Sequence, residues 1–205
     1  MLGALLALFG PSDEELIRRF KGGDQEAFSE LVRRYQDRIY TLCLRWLGER
    51  EQAEETTQDI FLALYRSLGD FRGESKFSTW IFRVATNHCK NRRLYRARRA
   101  HGRHEPLEGP ENPDAPPRQI ASEGPGTDAR VTRSEAEDIL ERALAQLDEG
   151  HRSILILRDI EDLPYEEIAD ILSVPRGTVK SRLHRARADL ARVLGRMIGP
   201  SDVLD

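Results

Sequence analysis

Four residues recur at helical spacing between positions 80 and 98. Trp80, Asn87, Asn91 and Arg98 stand at i, i+7, i+11 and i+18, which places them along one face of a helix. A tryptophan ring can stack on a base, a carboxamide can hydrogen-bond a base edge, and a guanidinium can contact phosphate. The face therefore suits a nucleic acid, with a buried Trp80 and incidental asparagines as the open alternative.

A second polar surface is predicted near the carboxyl end, in LPYEEIADILSVPRGTVKSRLHRARADL (163–190). We expect one short helix over 164–172, the turn SVPRG, and a second helix from about Thr178. The residues predicted to face inward are Val179, Leu183, Ala186 and Leu190. Those predicted to face outward are Thr178, Ser181, His184 and Arg185, flanked by Lys180 and Arg182. A tight turn before a cationic second helix indicates a helix-turn-helix that inserts into the DNA major groove, rather than a generic helical hairpin.

Residues for catalysis or metal binding are not recognisable in the sequence. No nucleophile–His–acid set, HExxH, P-loop or GxGxxG occurs, so we expect no enzyme activity, no catalytic residues and no cofactor. His88 falls on a predicted apolar face without a second ligand, which favours a core histidine over a metal site. Cys43 and Cys89 cannot form a disulfide framework and lack CxxC spacing, so a reducing, cytoplasmic location is expected.

Charge is strongly segregated along the 205 residues, although the formal net charge is only −3. Residues 90–104 hold seven Lys or Arg and no acid, residues 105–138 hold nine acids, and residues 176–196 again hold seven Lys or Arg. Six of the ten prolines lie between positions 106 and 125. Two basic blocks on either side of an acidic, Pro-rich stretch indicate two polyanion-binding surfaces joined by a tether. Solvated arginine-rich helices are the alternative.

The elements that position these residues are predicted to be almost entirely helical. Ser12 with Glu15 and then Asp24 are capping signals, and apolar residues follow at helical spacing through positions 28–46, 53–68 and 77–89. In the second of these segments Thr57 is predicted on the apolar side, and the helix of the third is predicted to begin at Ser78. A further helix is predicted around 153–160. One predicted helix carries Glu54, Glu55, Gln58, Asp59 and Leu62 on its polar side, which is typical of a solvated face or of a protein-docking surface.

The predicted fold is all-α, with two small helical domains joined by a flexible linker. The boundaries are an N-terminal extension at 1–11, a first domain at 12–100, a linker at 101–132 and a second domain at 133–198. The apolar run at 2–9 is too short to span a membrane, for which about 18–20 apolar residues are needed, so we expect neither a span nor a signal peptide.

In combination, the motifs resemble those of the extracytoplasmic-function sigma factors, small bacterial initiation subunits of RNA polymerase. The resemblance covers residues 13–100 and 134–195 and rests on GDQEAFSELVRRYQ, EQAEETTQDIF, FRGESKFSTWIFRVATNHCKN and YEEIADILSVPRGTVKSRLHRAR. It implies that the first domain is sigma region 2 and the second sigma region 4. Core RNA polymerase, promoter DNA and an anti-sigma protein are the implied partners.

The resemblance also implies residue roles. Core polymerase would contact Glu54, Glu55, Gln58 and Asp59. The minus-ten element would contact Phe71, Arg72, Gly73, Ser75, Trp80, Asn87 and Asn91, with loop 71–77 capturing a flipped base. The minus-thirty-five element would contact Arg176, Thr178, Lys180, Ser181, Arg182, His184 and Arg185.

Several positions depart from the family pattern. Pro164 stands where a helix-capping residue is common, Ser173 where glycine is frequent, and His184 at an often aromatic position. These departures bear on promoter choice rather than on the class of protein. From the residues alone, a one-component regulator that binds an operator through the same helix-turn-helix remains the alternative function.

Overall fold

The computed structural model describes residues 10–100 and 135–198, and every regular element in these ranges is helical. The predicted linker at 101–132 and nearly all of the N-terminal extension lie outside the described residues. The N-terminal half consists of four helices: α1 (Asp13–Lys21), α2 (Gln25–Leu47), α3 (Arg50–Ser67) and α4 (Phe77–Ala100). A single 3-10 turn, Leu68–Asp70, follows α3.

Local signals fix where these helices begin and end. The Ser12 side chain accepts a hydrogen bond from the Glu15 amide at 3.2 Å, and Asp24 accepts one from Glu26 at 3.0 Å, which confirms both predicted caps. Helix α2 ends at Gly48, whose φ of 74° lies in the left-handed region that glycine adopts without strain. Helix α4 begins at Phe77, one residue before the predicted Ser78.

The N-terminal core is formed where α2, α3 and α4 pack together. Ile39, Leu42 and Ile60 are fully buried, and Phe82 of α4 is fully buried as well. The predicted stripes are correct in phase but incomplete. Phe82 is buried although the predicted inward face of α4 does not include it. On α3, Thr56 is buried, whereas Thr57, which was predicted to face inward, is half-buried.

The C-terminal half contains α5 (Glu135–Gln146), α6 (Glu149–Leu155), α7 (Tyr165–Leu172) and α8 (Arg176–Met197). Helix α6 continues into a π-helical turn over Ile156–Ile160, so the predicted single helix around 153–160 is two segments. Helix α8 begins at Arg176, two residues before the predicted start, because the Thr178 amide already bonds to the Pro175 carbonyl at 2.8 Å.

The two halves pack directly against each other. Helix α2 contacts α5, and the beginning of α4 contacts α7. The buried apolar residues of both halves form one continuous cluster. The Arg152 side chain is buried, with 1% of the residue exposed. Its guanidinium donates hydrogen bonds to the carbonyls of Leu144 and Leu147. It also donates one to the Trp46 carbonyl of the N-terminal half at 3.2 Å. A buried cation thus neutralises the carboxyl ends of α5 and α2, where helix dipoles are negative.

Candidate nucleic-acid and protein interfaces

Helix α8 presents the predicted cationic face to solvent. Val179, Leu183 and Ala186 are buried, which fixes the rotation of the helix. The opposite side carries the residues predicted to contact DNA. Lys180, Ser181, His184, Arg185 and Arg176 are exposed, and Thr178 and Arg182 are half-buried. The amino-terminal half of α8 therefore has the side chains and the accessibility needed for a major groove.

The turn between α7 and α8 sets the angle between these helices. Ser173 adopts the left-handed conformation, with φ 53° and ψ 47°, and the Val174 amide closes the turn on the Ala169 carbonyl at 3.0 Å. Glycine is the usual residue for such a helix end, so serine adopts this turn at a conformational cost. Pro164 begins α7 without a side-chain cap.

One predicted DNA contact in α8 is engaged within the motif. The Arg176 guanidinium pairs with Glu166 of α7 at 2.5 Å, and both side chains are more than half exposed. An exposed pair of this kind contributes little stability and exchanges readily for another anion. Arg176 can therefore move from Glu166 to a phosphate.

The loop before α4 encloses a cavity of about 360 Å³. Its lining includes Phe71, Arg72, Ser75 and Trp80, four of the residues predicted to contact the minus-ten element. Gly73, also predicted there, sits in the same loop with φ 73°. The Lys21 ammonium of α1 donates to the Phe71 carbonyl at 2.6 Å, which anchors the loop to the helical core.

Trp80 combines the two roles that the sequence left open. Its ring packs against Phe71 at 5.0 Å and Phe77 at 5.8 Å, so it belongs to an aromatic cluster at the edge of the core. The same side chain is only half-buried and lines the loop cavity. Aromatic side chains that are held rigidly and remain accessible are suited to stack on an unpaired base.

Sequence reasoning missed Arg83, which also lines this cavity. Its Nε atom is buried and has no hydrogen-bond partner among the described residues. Arg83 follows Trp80 by three positions, the spacing of one helical face, and this was the available signal. A guanidinium at this position can contact the phosphate backbone of a DNA strand whose base enters the cavity.

The other members of the α4 face differ in accessibility from Trp80. Asn87, Asn91 and Arg98 are all exposed, as a binding face requires. His88, predicted to be a core residue, is half-buried, and burial lowers its pKa while Asp59 of α3 opposes the shift. His88 is therefore biased towards its neutral form.

The acidic ridge of α3 comprises Glu54, Glu55, Gln58 and Asp59. The first three are exposed and Asp59 is half-buried. Glu54 pairs with Arg50 at 3.0 Å, and Glu55 pairs with Arg92 of α4. The ridge is thus partly neutralised by neighbouring arginines, although its carboxylates still face solvent.

An apolar groove of about 610 Å³ runs beside this ridge, between α2 and α3. Gln58 of the ridge lines it together with Val32, Phe61 and Leu62. Leu62 and Tyr65 are 53% and 43% exposed, the largest apolar exposures on α3. The sequence indicated only Leu62; the groove itself depends on how α2 and α3 pack. Apolar surface rimmed by charge is typical of a protein-docking site.

A cluster of Asp148, His151 and Asp189 has the ligand types of a metal site. The His151 Nδ1 atom lies 2.8 Å from each carboxylate. Both carboxylates already have structural partners, since Asp148 caps α6 and Asp189 pairs with Arg192 at 2.7 Å. The cluster fastens α6 to α8, and its geometry does not require an ion.

Two family models match the chain in separate segments. Residues 31–100 match sigma-70 region 2, and residues 137–190 match sigma-70 region 4. The chain is 36% identical over 182 residues to the RNA polymerase sigma-H factor of Pseudomonas aeruginosa, covering 89% of this chain and 93% of that protein. It is also 34% identical to the ECF RNA polymerase sigma factor SigW of Bacillus subtilis, over 87% of this chain and 94% of SigW.

The chain belongs to the extracytoplasmic-function sigma factors.

The fold of this sigma factor agrees with that assignment. The structure of CnrH in complex with the cytosolic domain of CnrY matches 90% of this chain and 97% of that chain, with a TM-score of 0.66 at 24% identity. The sigma factor RpoE of Bartonella quintana, solved with the anti-sigma factor NepR, covers 82% of this chain and 96% of its own, with a TM-score of 0.61 at 21% identity. The predicted all-α fold with regions 2 and 4 is confirmed.

Proposed function

We propose that this sigma factor binds core RNA polymerase and directs promoter recognition, strand opening and transcription initiation. The observation that carries the proposal is that one chain holds both a region 2, with an accessible aromatic cavity, and a region 4, with an exposed cationic helix. A one-component operator-binding regulator would need only the second of these. No catalytic step is assigned to the chain itself.

Helix α8 is proposed to read the minus-thirty-five element as duplex. Lys180, Arg182 and Arg185 would contact phosphates and base edges, and phosphate contacts would also come from Arg176. The exposure of this face supports the assignment. His184 would contribute a hydrogen bond through an imidazole nitrogen.

The loop and α4 are proposed to take one separated strand of the minus-ten element. A base would enter the cavity lined by Phe71 and Trp80, while Asn87 and Asn91 would contact neighbouring bases. Arg83 would meet the backbone of that strand. The accessible aromatic face of Trp80 supports this division of roles.

Energetics require a partner for strand opening. Separating ten base-pair steps costs roughly 14 kcal/mol, at about 1.4 kcal/mol each. Stacking a base on an aromatic side chain returns only about 1–3 kcal/mol. The free sigma factor therefore traps an opened strand, and polymerase must supply the rest of the opening energy.

The acidic ridge and the apolar groove beside it are proposed as the polymerase-binding surface. Leu62 and the groove would supply apolar contact, while Glu55 and Asp59 would pair with cations of the polymerase. An anti-sigma protein that covers the same surfaces is the proposed regulator. None of the helices in the described ranges combines the length and apolar character needed to cross a membrane. Action in the cytoplasm is proposed.

Run-off transcription with purified core enzyme tests the proposal. We expect start-site-specific RNA from a library of genomic fragments only when the sigma factor is added. The double variant Glu55→Ala/Asp59→Ala should bind core enzyme at least about tenfold more weakly because charged contacts are lost. Glu14→Ala/Glu15→Ala, which removes two exposed acids of α1, is the matched control. The proposed function would be refuted if the wild-type protein formed no stable complex with core enzyme and gave no start-site-specific RNA.

A further inference from the structure

The last two turns of α4 extend beyond the helical core. Among the side chains of α4 that the structure describes, Cys89 is the last buried one, and residues 94–99 are all exposed. The helix nevertheless continues to Ala100, about 16 Å past Cys89 at about 1.5 Å per residue. This end of α4 therefore presents a surface that the described core does not cover.

Two large apolar side chains lie on this exposed end. Leu94 is 50% exposed and Tyr95 is 48% exposed. An exposed apolar pair surrounded by charge is typical of a binding surface. The surrounding charge is positive, because residues 90–104 hold seven Lys or Arg and no acid. The Arg99 guanidinium lies 5.7 Å from the centroid of the Tyr95 ring, so cation and ring form one patch. A polyanion is the partner that such a patch fits.

The patch continues the face of α4 that carries Asn87 and Asn91. Leu94, Tyr95 and Arg98 follow Asn91 by three, four and seven positions. Residues at these spacings lie on one side of a helix. The exposed end is therefore continuous with the surface proposed to contact the minus-ten element.

Other arginines of this segment contact the protein. Arg92 pairs with Glu55 of α3, and Arg96 pairs with Glu49 at 2.7 Å. These contacts fix the rotation of the exposed end. Leu94 and Arg98 are each two positions from Arg96, about 200° around the helix, so they point away from α3.

The position of the patch along α4 selects the part of the promoter that it meets. Arg98 lies seven residues beyond Asn91, which is about 10 Å along the helix axis and about three base pairs of duplex. In the proposed function Trp80 marks the opened base, so the asparagines separate the patch from strand opening. The chain continues from this end of α4 towards region 4, which is proposed to bind further upstream. The patch therefore meets DNA upstream of the minus-ten element, where the strands remain paired.

We propose that Leu94, Tyr95, Arg98 and Arg99 form a contact surface for double-stranded DNA immediately upstream of the minus-ten element. The two guanidiniums contact phosphates, the Tyr95 hydroxyl donates a hydrogen bond to a phosphate oxygen, and Leu94 packs against the sugars. This assignment rests on the proposed function and extends it, since none of these contacts needs an unpaired base. The surface holds the edge of the duplex at which strand opening begins.

Forked DNA tests the proposal with the holoenzyme, the complex of this sigma factor with core polymerase. The probe has a single-stranded minus-ten element and about twelve base pairs of upstream duplex, roughly 40 Å, which excludes the minus-thirty-five element. The same single strand without the duplex is the reference. The duplex should strengthen binding by the wild-type holoenzyme, and Leu94→Ala/Tyr95→Ala should reduce that gain at least about fivefold. Fluorescence anisotropy measures the affinities, and circular dichroism verifies that the variant remains helical.

Salt dependence tests the phosphate contacts separately. Each phosphate contact in duplex DNA steepens the slope of log affinity against log salt by about 0.9. Between about 50 and 200 mM salt, Arg98→Ala/Arg99→Ala should therefore lose about tenfold less affinity for the forked probe than the wild type does. Arg18→Ala/Arg19→Ala, which removes two exposed arginines of α1, is the matched control and should keep the wild-type slope.

The proposal would be overturned if the duplex strengthened binding equally in the wild-type and Leu94→Ala/Tyr95→Ala holoenzymes, or if Arg98→Ala/Arg99→Ala kept the wild-type salt slope. Weaker binding of either variant to core polymerase without DNA would also overturn it, because the patch would then belong to a protein interface. Failure of the proposed function gives a different result. The wild-type holoenzyme would then neither bind the single-stranded minus-ten element specifically nor make start-site-specific RNA.

Discussion

Single side chains of α8 determine how the duplex is read in the proposed function. The Arg185 guanidinium is exposed, and within residues 10–100 and 135–198 its one hydrogen bond is the 3.4 Å donation to the Ser181 carbonyl of its own helix. Little rearrangement is needed before it reaches DNA. Lys180 and His184 are similarly accessible, so the specificity of the helix depends on a few residues of its amino-terminal half.

Arg185→Ala should weaken binding to minus-thirty-five duplex by about 1–3 kcal/mol, the range for one base-reading arginine. Binding to core polymerase should not change, because Arg185 lies on the opposite half from the acidic ridge. Fluorescence anisotropy with labelled duplex and a polymerase pull-down measure the two effects. Equal loss in both assays would show that the faces are assigned incorrectly.

The two cysteines are a further feature at this scale. Their sulfur atoms lie 3.7 Å apart in the core, where the thiol of Cys89 donates to Cys43. This hydrogen bond, with burial, raises the pKa of Cys89 well above its ordinary value. The thiolate needed for reaction is therefore scarce in the folded protein.

We expect neither cysteine to react with a water-soluble aromatic disulfide at pH 8 in the native protein, while both react promptly in denaturant. Thiol titration by absorbance measures this. If either thiol of the native protein reacted as fast as it does in denaturant, the core could not be packed as described.

At the scale of elements, the turn of the helix-turn-helix is strained at one residue. Ser173 is one of two non-glycine residues with positive φ among those the structure describes. A left-handed conformation costs an L-residue with a side chain about 1–2 kcal/mol relative to what glycine pays. The serine keeps the turn geometry but lowers stability.

Ser173→Gly should raise the free energy of unfolding by about 1 kcal/mol, since it relieves this strain. Urea denaturation followed by circular dichroism measures the change. Ser29→Gly makes the same replacement inside α2 and should instead lower stability by about 0.5 kcal/mol, since glycine is the poorer helix former. A loss of stability in both variants would contradict the strain at Ser173.

At the scale of the whole molecule, the contact between halves alters the ionisation of its carboxylates. Burial raises the pKa of Glu161 above its ordinary value of 4.5, and Arg38 only partly opposes this. The folded protein therefore holds this proton more tightly than the unfolded chain. The stability from this group is fully present below pH 4.5 and is lost as pH rises through the raised pKa.

Glu161→Gln should therefore be more stable than the wild type at pH 7, because the amide still accepts from Arg38 without ionising. The difference should shrink as pH falls towards 4.5. Urea denaturation across this range measures it, and Glu51→Gln, which replaces an exposed carboxylate on α3, is the control. A variant less stable than wild type at pH 7 would mean that the ion pair outweighs the cost of burial.

The secondary structure of this protein is largely predictable from its sequence, because the signals that specify it are local. The caps at Ser12 and Asp24, the helical stripes and the helix-turn-helix each depend on residues within a few positions of one another. Family membership followed from the same short motifs. Helix ends were misplaced by one or two residues, at Phe77 and Arg176, since the first hydrogen bonds of a helix leave little trace in composition.

The surfaces that those helices create together follow from tertiary packing. The groove beside the acidic ridge requires α2 and α3 in contact, and Arg83 becomes a cavity residue only when the loop folds over it. The pair of Arg38 and Glu161 joins residues 123 positions apart. Contacts at such separations depend on how whole helices pack, and no local spacing in the chain encodes them.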